Sequence, residues 1–240
     1  MTTHVDKLRG RVSNIVFAAL IQKMPPDHDE PESATGRRRV IALITLAVGA
    51  TLLGLSLSTR VGDSRFYWLT SALALTWLVG GLASGPLHLG SERSGGTVRR
   101  PILTPIAIGL ATAAVFVLGA VVVRDIEPLR QLMDRVLQHA RTGSLPLTMV
   151  LTVANGAAEE VFFRGTLFAA AGRSHPVATS TGVYALVTVA TANPMLIFSA
   201  VVLGTVLGLQ RRASGGVLAP MLTHITWSMV MLFALTPLVN

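Results

Sequence analysis

Residues 176–210 carry no formal charge, and neither do the runs 40–59, 66–87 and 101–123. A helix of about 20 apolar residues crosses a hydrocarbon core of about 30 Å, so each run is long enough to span a bilayer. A β-barrel would instead alternate apolar and polar residues over strands of about ten, and these runs are continuous. With 51% hydrophobic and only 13% charged residues, the chain reads as an all-α, polytopic integral membrane helical bundle.

The formal charge of +8 suggests a nucleic-acid partner at first sight. The arginines, however, stand at the ends of apolar runs, as the positive-inside rule requires, and no soluble basic domain is present to hold nucleic acid. The lipid bilayer is the expected partner and nucleic acid is not. The chain has no cysteine, which excludes a disulfide framework, a thiolate nucleophile and any cysteine-ligated metal.

Three regions follow from this pattern. In 1–36, Leu8, Val12, Ile15, Val16, Ala19 and Leu20 form a stripe at helical spacing beside Lys7, Arg9, Arg11 and Lys23, which predicts an amphipathic helix in the headgroup region. A polar, disordered linker is expected to follow at 25–32. Region 37–144 holds three spans (40–59, 66–87, 101–123) and an amphipathic interfacial helix over 124–141. Region 145–240 holds four: 145–171, two helices divided by Asn193-Pro194 within 176–210, and 217–235. The total is about seven transmembrane helices plus the N-terminal one. Arginine placement favours a cytoplasmic N-terminus in a multi-pass protein of the plasma membrane.

One span breaks the apolar rule. Between Pro146 and Gln210 the only formal charges are Glu159, Glu160, Arg164 and Arg173, and the first three lie within six residues. Ionised groups in hydrocarbon cost about 2.5–3.5 kcal/mol each on insertion scales, so they mark a functional segment. Glu160 and Arg164 are spaced i, i+4 with the acid first, the order that makes a structural ion pair on one helix face. Glu159 lies about 100° further round the helix and finds no partner in the local sequence. It is either a general base tuned by burial, or a glutamate hydrogen-bonded across helices or facing water without chemistry. His224 is the second intramembrane ionisable group, with Ser228 one turn later on the same face. A lone histidine in a span is commonly an interhelical donor. Paired with a glutamate on a facing helix, it is the start of an active site.

The run Glu159-Glu160-x-x-x-Arg164-Gly165, with Phe163 before the arginine, resembles the first motif of the CPBP family, that of type II CAAX prenyl endopeptidases and Abi-like bacteriocin-processing or immunity proteins. Tyr184 to Thr188, Asn193-Pro194, Gly204-x-x-x-Gly208, Gly215-Gly216, Ala219-Pro220 and His224 follow in the family's order, so the resemblance covers about 145–235. It implies an intramembrane endopeptidase acting on a peptide or membrane-protein substrate. Glu159 would activate water, Arg164 would fix Glu160 and the helix, and His224 would stabilise the oxyanion or hold a metal.

Two positions depart from the family. Thr188 stands where the second motif has histidine, and Ser228 stands where the third has asparagine. The remaining strong metal ligands would be Glu159 and His224, whereas catalytic zinc takes three protein ligands, so no cofactor is expected and zinc is disfavoured. Thr188 and Ser228 would support the site through their hydroxyls. The alternative is a catalytically degenerate membrane scaffold or immunity factor of the same fold. A proton-relay transporter would call for an internal repeat, and none is found.

Overall fold

The computed structural model describes residues 17, 19–21, 32–94, 97–172 and 174–238. Most of the expected amphipathic helix and of the linker lie outside them, as does Arg173. The architecture is all-α with one small ribbon. Helices α1 (Glu32–Leu57) and α2 (Arg65–Ala83) are followed by strands β1 (Glu92–Ser94) and β2 (Thr97–Arg99). These two pair antiparallel with Glu92 opposite Arg99. Then come α3 (Leu103–Val123), α4 (Glu127–Thr142) and α5 (Leu145–Glu160), which runs on through a π-helical turn, Val161–Leu167, into α6 (Phe168–Ala170). Helices α7 (Pro176–Thr188), α8 (Pro194–Ser214) and α9 (Leu218–Leu238) complete the chain, with a short 3₁₀ turn at Val189–Thr191 before α8.

Among the described residues five helices are long and apolar enough to cross a membrane: Gly36–Leu57, Arg65–Ala83, Leu103–Val123, Pro194–Ser214 and Leu218–Pro237. Two of the seven expected spans are not among them. The 145–171 path is helical throughout Leu145–Ala170, but three charges and the π turn interrupt its apolar run. Helix α7 has 13 residues, about 20 Å at 1.5 Å per residue, which is short of the bilayer core. Asn193-Pro194 does divide the long uncharged stretch. Asn193 caps α8 by accepting from the Met195 amide at 3.0 Å and donates through Nδ2 to the Leu132 carbonyl at 2.8 Å. Helix α1 begins at Glu32, inside the expected linker.

Small residues set the packing. A Cβ on Gly49 would stand 2.1 Å from the Trp77 ring, and one on Gly109 would stand 2.9 Å from the Thr223 carbonyl, so an α2 side chain lies against the bare backbone of α1, and α3 closely approaches the α9 backbone. Trp77, Phe162, Phe163, Leu167 and Val187 form the main apolar core around the π turn. Trp77 lies 4.9 Å from Phe162 and 5.1 Å from Phe163, ring centre to ring centre.

Several arginines at the helix ends do more than set topology. Arg38 is buried at 4% exposure, and Arg39, Arg100 and Arg211 donate to the carbonyls of Ala170, Gly90 and Arg164.

Candidate functional site

Glu159 and Glu160 are the last two residues of α5, where the helix widens into the π turn. A π turn shifts the register of the following residues and leaves carbonyls poorly matched, a geometry common at functional sites. Here two of those carbonyls gain side-chain donors from other helices. Ser180 Oγ donates to Phe163 O at 2.9 Å, and Arg211 Nε donates to Arg164 O at 2.7 Å.

Despite the π turn, Glu160 and Arg164 pair as the spacing predicts: Arg164 Nη1 lies 2.9 Å from Glu160 Oε1, and both side chains are fully buried. The same oxygen takes a second partner. His224 Nδ1 is 2.8 Å from Glu160 Oε1. A carboxylate already paired with a guanidinium is an acceptor, so Nδ1 carries the proton and donates. Glu160 therefore orients the imidazole, as a carboxylate does in triad-like sites, and leaves Nε2 free to act.

Nε2 faces Glu159, with 4.0 Å to Oε2, too long for a direct hydrogen bond and short enough for one water to touch both. Glu159 Oε2 accepts from the Tyr184 hydroxyl at 2.8 Å. Arg164 also donates through Nη2 to the Gly204 carbonyl at 3.2 Å, and its guanidinium carbon sits 5.0 Å from the Tyr184 ring centre. Helices α5, α7, α8 and α9 thus meet around four ionisable side chains.

Glu159, Glu160, Arg164 and His224 come together. The Thr188 hydroxyl donates back to the Tyr184 carbonyl of its own helix at 2.8 Å, and Ser228 is half-buried with no hydrogen-bond partner among the described residues. Sequence reasoning missed Tyr184 as a partner of Glu159. Its position was visible at the head of the second motif, but nothing in the sequence tells which way a hydroxyl on another helix points. Glu160 as the anchor of His224 was likewise invisible, because i, i+4 spacing accounts for only one of its partners.

The donor set does not fit a catalytic zinc. Glu159 and Nε2 offer two ligands, and the other carboxylate, Glu160, is spent on Arg164 and Nδ1. Among the described residues no three His, Asp or Glu side chains are placed to hold a metal ion.

A helical bundle with five helices long and apolar enough to cross a membrane, a buried Glu160, Arg164 and His224, and a partly buried Glu159 fits the class of polytopic membrane proteins with an ionisable site inside the bundle. The family is more specific. Residues 141–230 match the family model described as type II CAAX prenyl endopeptidase Rce1-like, the group the Glu159-to-His224 pattern resembles. The match covers the C-terminal part of the chain and leaves α1, α2, α3 and all but the end of α4 outside it. No curated protein and no solved structure matches the chain.

Proposed function

We propose that this protein is an intramembrane endopeptidase in which Glu159 activates the water that attacks a peptide carbonyl. The observation that carries the reading is the facing pair, Glu159 Oε2 opposite His224 Nε2 at 4.0 Å, with the imidazole held from behind by Glu160. A hydrolytic site needs a base and an oxyanion donor that face one water, and this pair offers both. The match to a prenyl endopeptidase family supports a peptide or membrane-protein substrate, met within the bilayer.

In this mechanism the Glu159 carboxylate accepts a proton from water as the water oxygen bonds to the carbonyl carbon. The C=O electron pair moves onto oxygen. Imidazolium Nε2–H of His224 donates to that oxyanion, and Glu160 balances the imidazolium charge. When the C–N bond breaks, the proton held by Glu159 passes to the leaving nitrogen. The Glu160–Arg164 pair holds the geometry without exchanging protons.

The test is cleavage by protein reconstituted in liposomes, read as new peptide N-termini in a membrane-protein extract. Glu159→Gln is expected to lower cleavage by at least about 10²-fold while the protein stays folded. Equal cleavage by both proteins removes Glu159 as the base. The second reading, a degenerate scaffold or immunity factor, is favoured by one observation. The Thr188 hydroxyl is turned onto its own helix, so the position of the family's second histidine contributes no group to Glu159. Absence of wild-type cleavage, with the same cellular phenotype for wild type and Glu159→Gln, would select it.

A further inference from the structure

Glu159 takes its orientation from one direct hydrogen bond to another helix, the 2.8 Å contact from Tyr184. His224 stands 4.0 Å from the same oxygen and does not hold it. The Tyr184 ring is itself confined. Arg164 lies over it, Phe163 meets it in an edge-on contact at 4.8 Å, and the bare backbone of Gly204 closes the third side. A Cβ on Gly204 would come within 3.3 Å of Tyr184 Cδ1 and 3.4 Å of Arg164 Nη2.

We infer that Tyr184 is the positioning residue of the site: its hydroxyl sets the Glu159 carboxylate opposite His224 Nε2. Arg164 then orders both glutamates by different routes. It holds Glu160 by an ion pair, and it reaches Glu159 through the tyrosine ring, a cation–π contact of the kind that confines an aromatic side chain. The inference rests on the reading of Glu159 as the base. It explains how α7 serves the site after losing its histidine at 188: the hydrogen-bonding group on this helix is one turn earlier, at 184. A residue acting this way governs the reacting geometry and leaves substrate binding alone, so its loss falls on kcat and not on KM.

Tyr184→Phe removes the hydroxyl and keeps the ring beneath Arg164. The expected result is a fall in kcat of about tenfold to hundredfold, with KM within about twofold and an unchanged thermal midpoint. The chain has only two tyrosines, so Tyr67→Phe is the matched control and keeps kcat within about twofold. Adding Tyr184→Phe to Glu159→Gln is expected to cost nothing further. Wild-type kcat in Tyr184→Phe overturns the positioning role and leaves the base reading standing. Wild-type kcat in Glu159→Gln sinks the base reading itself. A readout independent of any substrate is the infrared carboxylate band of isotope-labelled protein that vanishes in Glu159→Gln. It is expected to move to higher frequency in Tyr184→Phe as the hydrogen bond is lost, and to stay put in Tyr67→Phe. An unmoved band in Tyr184→Phe overturns the inference even where no substrate has been found.

Discussion

Helix α3 and the path from α5 through the π turn both pack into the interior, by opposite means. Helix α3 buries Pro105, Gly109, Ala113 and Ala120 and carries no charge. It docks on α9 chiefly by closeness, with one hydrogen bond from Thr223 Oγ1 to the Pro105 carbonyl at 2.8 Å. The α5 path buries Glu160, Arg164 and Thr166 and ties each of them to groups outside its own helix. Close packing of small residues tolerates exchange wherever the neighbour is absent. A charge network tolerates almost none, because removing one member strands another. The difference shows where the molecule keeps structure and where it keeps chemistry.

The strongest way to break this contrast is Arg164→Leu. It leaves Glu160 buried without its cation, and a stranded buried charge costs about 3–5 kcal/mol. The thermal midpoint in detergent should fall accordingly, with activity lost. The double variant Glu160→Leu with Arg164→Met sharpens the point. It is expected to recover most of the stability, since an apolar pair of similar volume is often neutral, yet stay inactive because His224 has lost its anchor. Recovery of activity would show that the pair serves stability alone.

Gly109→Ala tests the α3 side and is expected to cost about 1–3 kcal/mol. Its new methyl would press on the Thr223 carbonyl, and the shift would reach His224 next in the chain. Activity should therefore fall with stability, although Gly109 touches no reacting group. Gly119→Ala, in the same helix, meets nothing within 4 Å. It should be neutral or stabilising by up to about 1 kcal/mol, because alanine favours helix over glycine. Equal thermal midpoints for the two alanine variants would refute packing by closeness.

The smallest effect concerns His139 on α4, outside the spans. Its ring stacks on Phe66 at 4.4 Å, and burial pushes its pKa below the ordinary histidine value. In the unfolded chain it binds a proton more readily than in the fold. Its contribution to stability is therefore complete above the ordinary histidine range and is lost as pH falls through the lowered folded value. His139→Gln should flatten this acid-side loss in thermal midpoints taken between about pH 7 and 5. An unchanged slope would show that His139 does not control it.

Much of the molecule was legible from sequence because its signals are local. Helices α1, α2, α3, α8 and α9 follow from uncharged runs that leave hydrocarbon as the natural solvent. Asn193-Pro194 announces a break through a missing amide and a capping side chain. The Glu160–Arg164 contact follows from spacing on one helix. The count of spans did not follow, because apolarity is read along the chain while the reach of α7 depends on where the helix stops.

The sequence by itself determined an all-helical membrane bundle and the residues that carry its charge. Only the tertiary structure decided how those residues divide the work. Glu160 became the anchor of His224, Glu159 was turned by Tyr184, and Thr188 faced its own helix. Hydrogen bonds between helices depend on side-chain direction and on contacts remote in the chain, and neither is encoded in local spacing.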